Sequence, residues 1–270
     1  EGEIGNSGNI INIPNKIYTS EVNNPFRFPV ANINTVGTGR ILGISTAAKA
    51  LSEGQFGQFP LYAFTTEGVW AMEVSPTGSY SARQPITRDI CINPKSITQI
   101  DSAVLFATNR GIMLISGSQS QCISDIIDSV DIFKPLSLQG SAEIIKQAGF
   151  EDKNVDYIPF RNFLANCSML YDYTHQHIIV YNPSCTYAYV YSLKDKAWGM
   201  MVAAITDGVN SYPDALAMDT NGSLINYSEA DEEIIKNGVN GVLFTRPLKL
   251  DGADIMKTID TIIQRGYYKN

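Results

Sequence analysis

The sequence predicts an all-β protein, a β-propeller-like array of four-stranded blades interrupted by one small helical insertion. Three observations predict it. A unit of short apolar strand, polar turn and second apolar strand occurs four times; the copies start 43, 66 and 45 residues apart; and apolar spacing turns helical only inside the longest gap. A period of about 44 residues matches one propeller blade, for which roughly 40 to 50 is typical, and leaves an excess of about 22 residues in the long gap.

The elements follow in order. Residues 16–22 (KIYTSEV) are a strand candidate, and residues 41–47 (ILGISTA) supply an inner strand for the first repeated hairpin, residues 61–72 (LYAFTTEGVWAM). Residues 79–83 follow as its outer strand. The second copy, residues 104–115 (VLFATNRGIMLI), has residues 96–100 before it and 121–123 after it. The third is residues 170–181 (LYDYTHQHIIVY) and the fourth residues 215–226 (ALAMDTNGSLIN). Gly68, Gly111 and Gly222 share one register, at the end of a turn that needs positive φ. His177 takes that place in the third copy, so its turn must differ. Trp70 and Met113, at second strands of neighbouring hairpins, are expected in blade packing.

Residues 136–167 are the helical insertion. Within them 141–150 (SAEIIKQAGF) and 156–167 (DYIPFRNFLANC) space apolar positions as a helix does. The expectation is a surface excursion, the only substantial helix and a candidate subunit contact. Residues 186–201 (TYAYVYSLKDKAWGMM) read as a further hairpin turning at Lys194-Asp195-Lys196. Its aromatic-turn-Trp pattern is kelch-like or WD-like, and Trp198 is expected between neighbouring sheets. Four countable blades leave ring closure open; residues 16–22 and 241–268 could make a fifth.

Composition bounds the function. With 270 residues, 44% hydrophobic and 17% charged, the chain can bury a full core, which excludes disorder and a disulfide-stapled miniprotein. A net charge of −7 argues against tracking a phosphate backbone, so nucleic acid is not an expected partner. The most apolar run, residues 198–205 (WGMMVAAI), falls far short of the roughly 20 residues that span a bilayer, and no membrane span is expected. The opening EGEIGNSGN has no signal-peptide pattern and no initiator Met, which suggests a piece of a longer product. Cys91, Cys122, Cys167 and Cys185 form no CxxC pair and are expected as free thiols.

Reactive motifs are missing from the sequence. Gly37-Thr38-Gly39-Arg40 precedes a strand and reads as a turn rather than a phosphate loop. A Ser-His-Asp triad would have to use His175 or His177, and metal binding by that HxH needs a further ligand that no segment indicates. Asp219-Thr220-Asn221-Gly222 slightly resembles a calcium loop but is more simply a hairpin turn. Glu53, Glu67, Asp89, Asp101, Asp172, Asp207 and Asp219 lie near strand ends or turns where a propeller mouth could gather carboxylates, which leaves glycosidase chemistry open. No catalytic, cofactor-binding or metal residue is assigned, and no cofactor is expected.

Residues 15–29 (NKIYTSEVNNPFRFP), 55–72 (QFGQFPLYAFTTEGVWAM), 86–97 (ITRDICINPKSI), 107–117 (ATNRGIMLISG) and 244–266 (FTRPLKLDGADIMKTIDTIIQRG) together resemble large propeller-like structural proteins encoded by tailed phages and prophages of gut bacteria. The resemblance implies a virion structural protein, at the tail or neck, that contacts other virion proteins and itself. It implies a further β-rich region after residue 270, and brings no catalytic residues. The alternative is a carbohydrate-active propeller, a lectin-like receptor binder or a glycoside hydrolase acting on bacterial surface glycans. Exposed Tyr or Trp faces beside carboxylates at one mouth would favour it.

Overall fold

The computed structural model describes residues 2–4, 10–51, 59–74, 80–128 and 158–229. Among them the chain is mostly strand, arranged as antiparallel meanders in which each strand pairs with its neighbour in sequence. Two short hairpins come first: β1 (Gly2–Ile4) with β2 (Ile10–Asn12), and β3 (Lys16–Tyr18) with β4 (Ile33–Thr35). The first four-stranded sheet is β5 (Ile41–Thr46), β6 (Leu61–Thr65), β7 (Gly68–Val74) and β8 (Tyr80–Thr87). The second is β9 (Thr98–Gln99), β10 (Val104–Thr108), β11 (Gly111–Ser116) and β12 (Gln119–Cys122). The third is β13 (Ser168–Asp172), β14 (His177–Tyr181), β15 (Ala188–Ser192) and β16 (Ala197–Met201). The fourth has three strands, β17 (Ile205–Ser211), β18 (Asp214–Asp219) and β19 (Leu224–Asn226).

Central strands here are buried on both faces, which is why they read as unbroken apolar runs rather than as alternating ones. Tyr62 and Phe64 of β6 meet Val104, Phe106, Met113 and Ile115 of the second sheet, whereas Ala63 and Met72 turn the other way, towards Val36 and the β3–β4 hairpin. The opposite face of the second sheet, with Leu105, Ala107 and Ile112, packs on Met169, Tyr171, Ile178 and Val180 of the third. Leu170, Ile179 and Tyr181 then meet Ile205 and Ala217 of the fourth. The cores therefore lie between successive sheets. The first strands also touch in series, β5 on β9, β9 on β13 and β13 on β17.

Gly68 and Gly111 occupy equivalent places. Each opens a second strand after a two-residue turn, with φ of 133° and 142°. The hydroxyls of Thr65 and Thr108 donate to the carbonyls of Gly68 and Gly111 (2.9 and 2.8 Å) and accept from the amides of Glu67 and Arg110. Gly222 is also a turn glycine, with φ 80°, in a longer turn between β18 and β19. His177 pairs with Asp172 as Gly68 pairs with Thr65, and its turn does differ: it is longer and places Gln176 at φ 56°.

The third copy of the repeat is a hairpin as expected, but it takes a different place in its sheet. In the first, second and fourth sheets the repeated hairpin is the second and third strands, but in the third sheet it is the first and second. A hairpin buried on both faces has the same apolar pattern at either place, so the pattern cannot assign its strand order.

The insertion is corrected in depth over the part that is described. Residues 129–157, and with them 141–150, lie outside the described residues, as do 241–268. The remainder forms the helix α2 (Phe160–Leu164), but it is core: Phe163, Leu164 and Cys167 are fully buried in the cluster between the second and third sheets. Phe163 lies 4.9 Å from Tyr189 and 5.2 Å from Tyr187, and its carbonyl accepts from Asn182 Nδ2. A second short helix, α1 (Asp125–Asp128), follows β12 ahead of the predicted insertion. No helix among the described residues is long and apolar enough to cross a membrane.

The β15–β16 hairpin turns where expected, with Lys196 at φ 53°. Trp198 is core. Its Nε1 donates to the Ile123 carbonyl (2.8 Å), tying the outer strand of the third sheet to the segment after the outer strand of the second. Met113 is buried between the first two sheets, and Trp70 is half-buried on the opposite face of the first.

Candidate functional site

The ends of the first strands converge, because those strands run side by side. The amide of Ala48, after β5, donates to the carbonyl of Asp101, after β9 (3.2 Å). The Tyr171 hydroxyl, on β13, donates to Asp101 Oδ2 (3.3 Å), and the Tyr171 amide donates to Asn210 Oδ1 on β17 (2.7 Å). Tyr173 follows β13 and Tyr212 follows β17. Their rings make an edge-to-face pair at 5.1 Å, and Tyr173 lies 4.4 Å from Tyr171. Burial pushes the Tyr171 hydroxyl up to about 12, with the Asp101 carboxylate adding to the rise; Tyr173 moves the same way for the same two reasons.

Asp172 is nearly inaccessible and ties the third sheet to the fourth. Its Oδ1 accepts from the amides of Thr174 (3.1 Å) and His175 (3.3 Å) and from Ser228 Oγ (3.0 Å), while Oδ2 meets His175 Nδ1 (2.7 Å). Serine, histidine and aspartate thus come together, but not as a nucleophilic triad. The carboxylate stands between the other two, so the histidine is not set to take the serine proton. His175 and His177 stack 5.9 Å apart, and among the described residues no three His, Cys, Asp or Glu side chains are grouped to hold a metal.

The other predicted acids disperse. Glu53 lies outside the described residues. Glu67 is held by Thr38, whose hydroxyl and amide both donate to it, and these bonds keep its carboxyl below the usual range. The glycine-rich turn at Gly37 and Gly39 therefore already cradles a carboxylate of its own chain, in the position where a phosphate loop would hold its ligand. Asp89 pairs with Arg110 (3.3 Å), and Asp207 accepts from the Gly208 amide. Asp219 accepts from the amides of Ser223 and Asn221 (2.8 Å each), bonds that keep it below the usual range and make it a turn residue. Of the predicted acids among the described residues, only Asp101 and Asp172 are placed along the converging strand ends.

Sequence reasoning missed Tyr173 and Tyr212. The available signal was an aromatic in a turn: Tyr173 follows the last paired residue of β13, where the first two hairpins have Thr66 and Asn109, and Tyr212-Pro213 breaks β17 from β18. It also missed a projecting arm, residues 19–32. The arm is held by Thr19 N to Asn32 O, Glu21 N to Arg27 O and an Arg27–Glu21 ion pair at 3.2 Å. It exposes Val22, Phe26, Phe28 and Val30, with Phe26 92% accessible.

All four cysteines are free, and Cys91, Cys167 and Cys185 are buried. Burial raises the Cys167 thiol to about 12, and the others are raised by the same cause. Since the thiolate is the nucleophile, alkylation at pH 8 is expected to label half-exposed Cys122 first and the buried three only on addition of denaturant. Mass spectrometry of the time course checks this; rapid labelling of Cys167 in the folded chain would contradict it.

No family model matches the chain, and no curated protein matches it. Among solved structures it is similar to one described as the AfRom2 CNH domain, at 11% identity and a TM-score of 0.33, over 69% of this chain and 54% of that one. The chain thus spans about half the length of that structure, and a likeness at this level assigns neither a fold family nor an activity.

Proposed function

We propose that the chain is a β-propeller-like scaffold of a tailed-phage virion, a tail or neck component that works through contacts to other virion proteins and to copies of itself. The observation that carries this reading is the arm. An ordered hairpin presenting Val22, Phe26, Phe28 and Val30 to solvent is costly to leave bare, and aromatic side chains are the usual anchors of protein interfaces. The stacked meanders, with their first strands side by side, support propeller blades, and the resemblance of residues 15–29, 55–72, 86–97, 107–117 and 244–266 supports the virion.

Phe26→Ser combined with Phe28→Ser is expected to leave thermal stability within about 0.5 kcal/mol of the parent, because both side chains are exposed. The same change is expected to abolish incorporation into particles, read by immunogold labelling and by mass spectrometry of purified virions. Incorporation at parental levels overturns the scaffold reading through this arm.

A second reading is a lectin-like receptor binder for bacterial surface glycans, favoured by exposed Tyr212 packed on Tyr173, which in turn adjoins Tyr171 and the Asp101 carboxylate bonded to it. Hydrolysis gains less support: Asp172, the other carboxylate at these strand ends, has both oxygens engaged by turn amides, His175 and Ser228.

A further inference from the structure

We infer that Tyr212, Tyr173 and Asp101 form a subsite for one neutral pyranose ring of a polysaccharide. The inference rests on the receptor-binder reading and is independent of the arm. Tyr212 is 78% exposed, so at least one face of its ring is open to solvent, while its contact with Tyr173 at an interplanar angle of 84° makes a two-walled corner. A pyranose presents a C–H face, slightly positive, that stacks on the negative face of an aromatic ring, and a rim of hydroxyls at right angles to it.

The corner offers partners for both. Asp101 Oδ2 is held by the Tyr171 hydroxyl, whereas no hydrogen bond to Oδ1 is found among the described residues. The Tyr173 hydroxyl likewise has no hydrogen bond there, although the Asp101 charge acts on it. The Tyr173 hydroxyl, on the ring that walls the corner, and Asp101, on the far side of Tyr171, thus offer a donor-acceptor and an acceptor that adjacent sugar hydroxyls can satisfy. The supports are rigid. Tyr171 is buried beneath, and its amide is bonded to Asn210 of the strand that carries Tyr212, so the corner is formed before ligand arrives. A carboxylate at the site, on a chain of net charge −7, selects against uronates and sialic acids and therefore for neutral sugars.

The test is affinity electrophoresis of the full chain through gels containing dextran, mannan, galactan or soluble chitin oligomers, each also run with Tyr212→Ala and Asp101→Asn. Retardation by at least one of these probes is expected, weakened about tenfold in apparent affinity by Tyr212→Ala and severalfold by Asp101→Asn. Circular dichroism should be unchanged in Tyr212→Ala, since the side chain is exposed. Retardation that Tyr212→Ala leaves intact overturns the subsite while keeping the receptor-binder reading. Absence of retardation by every probe, with binding to whole bacteria retained, also overturns the subsite as a neutral-sugar site. Absence of both overturns the subsite and the reading together.

Discussion

Phe163→Ala lowers the stability of the folded chain by about 3–5 kcal/mol, as expected for removing a large aromatic from a core that cannot close over the space. Phe163 is fully buried, edge-to-face with Tyr189 and tilted on Tyr187, at the centre of the cluster joining the second and third sheets. Leu164 and Cys167 are buried beside it, and the Cys167 carbonyl accepts from Asn93 Nδ2 (2.6 Å), so local collapse would disturb a hydrogen bond between segments. Urea denaturation followed by fluorescence measures the change. A loss below about 1 kcal/mol would return α2 to the surface role that its sequence suggests. By the same reasoning, removing residues 136–167 takes Phe163, Leu164 and Cys167 from the core, so the sheets are not expected to remain folded without them.

Gly68→Ala is expected to cost roughly 3 kcal/mol or more, from an unfavourable backbone and an overlap that no rotamer relieves. The residue has φ 133°, and a Cβ there would stand 2.2 Å from the Thr87 carbonyl oxygen and 2.9 Å from the Arg88 Cα, both backbone atoms. Gly222→Ala, at φ 80° with nothing within 4 Å of the added carbon, carries the backbone strain alone and should cost about 1 kcal/mol. The two glycines are alike in sequence register, so equal losses in paired thermal melts would show that the close approach of residues 87–88 does not matter.

The candidate site was legible only in part. Asp101 and Asp172 stood among seven acids singled out for lying near strand ends, but the sequence had no means of separating them from Asp89 or Asp219, which end as an ion pair and a turn. Asp172 differs from Asp219 because Ser228 and the turn at His175 close over it from two sheets. The tyrosines were passed over because each belongs to a different loop. The arm was read only for its strand: Lys16–Tyr18 does pair with Ile33–Thr35, but exposure of Phe26 is a property of what fails to pack against it.

Strand content, the positions of the tight turns and the helical character of residues 160–164 were determined by the sequence itself, because each depends on residues within a few positions of one another. Alternation collapses to continuous apolar runs where both faces are covered, and a glycine after a two-residue polar turn marks the only backbone able to begin the next strand there. Sheet-to-sheet packing decided the rest. Which pair of strands the third hairpin occupies, how deep α2 lies, and the meeting of Asp101, Tyr173 and Tyr212 all depend on β9, β13 and β17 lying side by side. That adjacency is set by buried side chains far apart in the chain, and local pattern carries no record of distance across it.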